Sequence, residues 1–227
     1  MLEEALRHGH QPQVVLWSPT RSGERERALV ESLDPAVEVH ELPPRDLERV
    51  ADARSPSGSL GIFALPGTSL AETRPAARTL ILDGVSDPGN AGSLLRSAMA
   101  FGVQRVVAIG DSADPWQPKV VRATAGALFG LEVHRTESSE LLDFLRRSAI
   151  PLLATAVDGE RDRAALAPWA KRPCIAIAIG SEAHGVHEEL LSRAKLRYAI
   201  AHSDRVESLN AAVAGSIVLH ELHAAGP

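Results

Sequence analysis

The stretch Thr79-Leu80-Ile81-Leu82-Asp83-Gly84-Val85-Ser86-Asp87-Pro88-Gly89-Asn90-Ala91-Gly92-Ser93-Leu94-Leu95-Arg96 passes from an apolar run into a tight loop and then into a helical pattern. Thr79 to Leu82 reads as a strand. Glycines and a proline shape the loop at its carboxyl end, and Gly92 to Phe101 reads as a helix closed near Gly102. Asn90 stands where a side-chain oxygen caps a helix, with Arg96 six residues further on, facing the same helix mouth. The order then repeats. Arg105 to Ile109 and Leu131 to His134 read as strands, and Val120 to Phe129 and Ser138 to Ser148 as helices. Pro151 to Ala156 and Cys174 to Ile179 are near-continuous apolar runs, as strands covered on both faces require. Ser208 to His223 is a long helix rich in small residues, with Ser208 as its expected cap. Strands alternating with helices over roughly 150 residues predict an α/β fold with a parallel sheet.

Upstream, residues 1–67 form a smaller β/α pattern: strands at 13–17, 37–40 and 60–65, helices at 23–33 and 45–51. Seven arginines face eleven acidic residues there, so most of the chain's formal charge of -5 lies in this part. Residues 68–78 have the Pro-rich, small polar composition of a linker. The chain is 227 residues long, 44% hydrophobic and 23% charged, which excludes wholesale disorder. One cysteine, Cys174, excludes a disulfide framework and a Cys-rich zinc site, and the nine histidines have no metal-ligand spacing, so no metal is expected. No apolar run approaches the roughly 20 residues of a membrane span, and Met1 opens no signal peptide, so a soluble, cytoplasmic chain is expected.

Two further junctions carry chemistry-bearing residues. Ile179-Gly180-Ser181-Glu182-Ala183-His184-Gly185-Val186 ends a strand at a glycine, followed by an acid and a second glycine. In α/β sheets ligands sit beyond the carboxyl ends of strands. The glycine spacing is neither that of a dinucleotide fingerprint nor that of a P-loop. Ile200-Ala201-His202-Ser203-Asp204-Arg205-Val206-Glu207-Ser208-Leu209-Asn210-Ala211-Ala212-Val213-Ala214 is a polar loop entering the last helix. Each junction alone also has an ordinary reading: a cap with a surface arginine, a Gly-rich turn with a solvated glutamate, a capped core helix.

Together and in order, Asn90-to-Arg96, Gly180-Ser181-Glu182-x-x-Gly185 and Glu207-Ser208-Leu209-Asn210-Ala211-Ala212-Val213-Ala214 resemble the three motifs of the SpoU/TrmH family of the SPOUT superfamily. Val121 to Phe129 is similar to an intermediate family segment. The resemblance covers about residues 79–223. It implies an RNA 2′-O-ribose methyltransferase that uses S-adenosyl-L-methionine, a C-terminal trefoil knot, and a homodimer whose active sites draw on both subunits. It makes 79–227 the catalytic domain. It makes 1–67 an L30e-like RNA substrate-binding domain, truncated at its N-terminus relative to the family pattern. Carried over residue by residue, Thr155, Gly180, Ile200 and Leu209 match cofactor-holding positions. Asn90, Arg96, Glu182, Ser208 and Asn210 match the polar set around the ribose and the methyl donor. The family proposal makes the arginine the base. A guanidinium stays protonated in proteins, so Arg96 suits phosphate binding and stabilisation of negative charge better.

The chain departs from the family pattern at Ala201-His202, Asp204-Arg205 and Ala211-Ala212, which bear on the shape of the cofactor loop. The expected substrate is RNA, ribosomal in preference to transfer RNA, with no DNA and no membrane partner. The competing readings are a tRNA ribose methyltransferase and an RNA-binding protein with a decayed cofactor site.

Overall fold

A computed structural model describes residues 1–51, 57–67, 69–73, 78–203 and 205–226, in two units, Met1–Gly67 and Thr68–Pro227. In the first unit, helix α1 (Leu2–Arg7) precedes β1 (Val14–Trp17), α2 (Glu24–Glu31), β2 (Glu38–Glu41), α3 (Pro44–Val50) and β3 (Ser59–Ile62). The sheet order is β2-β1-β3, with β2 parallel and β3 antiparallel to β1. Its small core gathers Leu2, Val15, Val30 and Val37. Helix α1 was not legible as an element; two turns of helix carry too short a pattern to register.

The second unit is a six-stranded, wholly parallel sheet in the order β6-β5-β4-β8-β7-β9. Its elements are β4 (Arg78–Asp83), α4 (Pro88–Ala100), β5 (Arg105–Ile109), α5 (Pro118–Ala123), β6 (Glu132–Arg135), α6 (Ser138–Arg147), β7 (Leu152–Glu160), α7 (Ala167–Ala170), β8 (Ile175–Gly180), α8 (Glu188–Leu191), β9 (Leu196–Tyr198) and α9 (Ala211–Ala224). Burial on both faces explains the continuous apolar runs, and the alternation within them sorts the faces. Leu80, Leu82, Val106, Ala108, Ile177 and Ile179 enter one core with Leu94 and Leu95 of α4 and Val218 and Leu219 of α9. Ile81, Val107, Ile109, Ala176 and Ala178 enter the other, with Leu141, Phe144 and Leu145 of α6.

Three expectations change. Helix α4 begins at Pro88, four residues before the expected start, because Asp87 is the cap: its Oδ1 accepts from Asn90 N at 2.8 Å. Asn90 therefore does not cap this helix, and Arg96 lies in its third turn. The helix expected over 120–129 ends at Ala123, because Ala125 (φ 51°) and Gly126 (φ 96°) take left-handed conformations. Helix α9 is capped by Asn210, not Ser208: Asn210 Oδ1 accepts from Ala212 N at 2.9 Å and Val213 N at 3.2 Å. Of the expected linker, Thr68 and residues 74–77 lie outside the described residues, as does Asp204. Within it, Leu70 is 2% exposed and packs into the second core of the larger unit. Among the described residues no helix is long and apolar enough to cross a membrane.

Helices α4 and α5 meet at Gly92, where a methyl group would collide with Ala123 Cβ and come within 3.0 Å of Val120 O. Gly92→Ala is expected to destabilise the protein by about 1–3 kcal/mol, the range for overpacking a well-filled contact. Equilibrium urea unfolding checks this; no loss would show that the two helices separate freely.

Candidate active site

In the register of the sheet, Asp83 of β4 lies opposite both Ile109 of β5 and Gly180 of β8, so these strands end level at their carboxyl edge. The loops leaving this edge carry the residues singled out in the sequence. Asn210 is the fixed point. Its Oδ1 caps α9, so its Nδ2 must be the atom that donates to Asn90 Oδ1, at 3.0 Å. Asn90 Oδ1 is thereby an acceptor, and Asn90 Nδ2 donates to Glu182 Oε1. The same carboxylate oxygen accepts from Ala211 N at 3.3 Å, at the start of α9. A negative charge held at a helix N-terminus by an amide N–H is favourably placed. Three residues far apart in sequence thus form one directed chain: Asn210 to Asn90 to Glu182.

Beside it lies a cavity of about 660 Å³. Thr155, Gly180, Glu182, Ile200, Ser208 and Leu209 all line it. Thr155 donates its hydroxyl to Ala178 O at 3.2 Å, which leaves the oxygen's lone pairs for another partner. Gly180 admits no side chain: a Cβ there would run into the backbone of Gly185 and Val186, so the turn folds down against the strand end. The exposed Val157 and Val206 lie at the cavity as apolar surface. Asp158, Glu182 and Glu207 outnumber Arg161 along its wall. Apolar walls, accepting groups and an excess of carboxylates fit the adenosyl and sulfonium parts of S-adenosylmethionine. Among the described residues no cluster of three or more His, Cys, Asp or Glu is placed to hold a metal.

Arg96 stands apart. It is exposed, and among the described residues its side chain makes no hydrogen bond or ion pair. Six residues from Asn90, it is about 9 Å along the helix and on a different face. The structure therefore joins Asn90, Glu182 and Asn210, places Ser208 and the four expected cofactor residues around the cavity, and leaves Arg96 outside both.

Sequence reading missed three supports. Buried Ser112 donates to Leu82 O at 2.8 Å and accepts from Val85 N at 3.2 Å, pinning the loop after β4. Asp83, 1% exposed, accepts from both His187 N and His187 Nδ1. Tyr198, at the cavity, donates to Glu221 Oε2 of α9 at 2.7 Å. None lies in the quoted motifs except Asp83, whose place at the end of an apolar strand was the available signal.

A parallel α/β sheet that gathers a pinned carboxylate, two amides and an adenosyl-sized cavity at its carboxyl edge is the frame of a cofactor-dependent group-transfer enzyme. The profile of the SpoU rRNA Methylase family matches residues 77–220, and the chain belongs to this family. It is 27% identical to a 23S rRNA guanosine 2′-O-methyltransferase of Bacillus subtilis, RlmP, over 98% of this chain and 85% of that protein. The structure is similar to an AdoMet-bound rRNA methyltransferase from Sinorhizobium meliloti, with a TM-score of 0.85 and 25% identity over 98% of this chain and 84% of that one. It is also similar to the SpoU methyltransferase AviRb from Streptomyces viridochromogenes in complex with AdoMet, with a TM-score of 0.83 and 26% identity over 98% and 86%.

Burial, then the bond to Glu221, pushes the Tyr198 phenol up from 10.0 to about 12. The folded chain holds this proton more tightly, so the associated stability is complete below pH 10 and lost as pH rises towards 12. The chain has one tyrosine, so absorbance at the phenolate band reads Tyr198 alone. The expected midpoint is near 12 in the native protein; a midpoint at 10 would mean that the phenol is neither buried nor bonded to Glu221.

Proposed function

We propose that the protein transfers a methyl group from S-adenosyl-L-methionine to a ribose 2′-hydroxyl of ribosomal RNA. The observation that carries this reading is the directed Asn210–Asn90–Glu182 chain at the edge of a cavity lined by every expected cofactor residue. When bound, S-adenosylmethionine supplies an electrophilic methyl carbon. Thr155, Gly180, Ile200 and Leu209 hold its adenosyl part in the cavity. The amide of Asn90, oriented by Asn210, and the carboxylate of Glu182 orient the ribose, with Ser208 at the same rim; positioning supplies much of the rate of a displacement. Arg96 binds the substrate phosphate and stabilises the charge developing on the ribose oxygen; the proton leaves to water. Only RNA has the accepting hydroxyl, which makes DNA an unsuitable substrate.

In this reading residues 79–227 are the catalytic domain, and residues 68–78 a linker. Residues 1–67 are an L30e-like domain that recognises folded RNA. Its net acidity assigns it shape recognition and local basic contacts, because a broad phosphate attraction needs net positive charge. Strand β8, inserted between β4 and β7, and α9, returning to pack Gly215 on Leu94 and Ile179, support a C-terminal trefoil knot. A groove of about 720 Å³ between α4 and α9, with half-exposed Val213 on its wall, supports a homodimer over this face. The dimer brings together what one chain leaves separate, Arg96 and the amide–carboxylate chain. In this reading the enzyme works in the cytoplasm.

The test is transfer of labelled methyl from S-adenosylmethionine to unmodified rRNA and tRNA, assayed separately. Label in rRNA is expected, as alkali-resistant dinucleotides. Arg96→Ala is expected to slow transfer about 100-fold while S-adenosylmethionine still binds, as for loss of one charge-stabilising donor. Label only in tRNA would establish the tRNA reading; cofactor binding absent from the stripped protein would establish the decayed-site reading.

A further inference from the structure

Asp83 is a carboxylate buried at the carboxyl end of a central strand, and the mechanism above does not use it. Burying a charge is unfavourable unless it is paired and hydrogen-bonded, so its position asks for a geometric reason. Both its oxygens serve one residue. Oδ2 accepts from the His187 backbone at 2.8 Å, and Oδ1 from His187 Nδ1 at 2.6 Å. A carboxylate oxygen only accepts here, so Nδ1 carries the proton. His187 stands at the start of α8, yet its side chain makes no capping bond to that helix; it turns back to Asp83. The imidazole is 62% exposed, so its packing alone does not hold it there.

Asp83 also stands opposite Gly180 in the sheet. Gly180 and His187 are the two feet of the turn that carries Glu182. Between them Gly185 N donates to Ser181 O at 2.9 Å, and His184 N to Ser181 Oγ at 3.2 Å. One residue therefore holds both feet: Gly180 through the ladder and His187 through the carboxylate.

We propose that Asp83 and His187 form a latch that positions Glu182, and that both are positioning residues for methyl transfer. The proposal rests on the reading of Glu182 given above. The latch acts by removing the turn's freedom to lift away from the strand end. Without it, Glu182 leaves Asn90 for part of the time, and the ribose-orienting geometry is populated less.

The test uses the full chain with S-adenosylmethionine at saturation and rRNA varied. Asp83→Ala risks misfolding, so the exposed partner is changed. His187→Ala is expected to lower kcat about tenfold with KM for rRNA little changed, the pattern of lost orientation. His187→Asn, whose amide can donate from the same position as Nδ1, is expected to restore most of the rate. In a Glu182→Ala background, His187→Ala is expected to change the remaining rate by less than about twofold, because its effect runs through Glu182. Amide hydrogen exchange gives a second readout that needs no turnover: Gly185 is expected to exchange about tenfold faster in His187→Ala and normally in His187→Asn. An impaired Glu182→Ala enzyme in which His187→Ala still causes its full loss would overturn the latch alone. A fully active Glu182→Ala would overturn the reading of Glu182 and the latch with it. Unchanged kcat and exchange in His187→Ala would also overturn it.

Discussion

The site depends on one cap. Helix α9 needs an acceptor for its first free amides, and Asn210 supplies it with Oδ1. An amide has one accepting and one donating end, so capping decides which way Asn210 points. That decision passes to Asn90, whose oxygen must accept, and from Asn90 to Glu182, which must remain an acceptor. An ordinary device of helix termination therefore sets the polarity of the whole constellation. Serine or aspartate would also cap α9, yet neither presents an amide N–H to Asn90.

The sheet makes this chain of bonds possible. Wholly parallel strands bring every exit loop to one edge, and the apolar alternation of β4, β5 and β8 fixes which side chains face which helices. A slip of one residue in β8 would turn Ile177 and Ile179 out of the α4–α9 face and displace Glu182. At the edge the residues change character. Ser112 and Asp83 are buried, polar and fully engaged, and each holds a loop that bears a site residue. The apolar core sets the sheet; these polar groups set the loops.

The strand and helix alternation of residues 79–223 was legible because buried parallel strands leave long apolar runs. So was the grouping of Asn90, Glu182 and Asn210, through the resemblance of their motifs. The helix starts were misread for a local reason. Asp87-Pro88 is a cap followed by the residue best suited to a first turn, and Asn210 competes with Ser208 two residues earlier. Short elements such as α8 and β9 carry too few residues to show a period. The Asp83–His187 and Tyr198–Glu221 pairs were not legible, because bonds between residues distant in the chain leave no mark in spacing.

That distance has a consequence for how the protein comes into being. Asn90 bonds to a residue 92 positions later and to another 120 positions later. During synthesis the β4–α4 loop emerges long before either partner, and its amide has only water to bond. The cavity wall at Ile200 and Leu209 and the cap at Asn210 arrive later still than Glu182. The nascent chain thus has no assembled site until α9 docks on α4 and β8. Closing such long loops is entropically slow. The timing of maturation is therefore written into the strand order of the sheet.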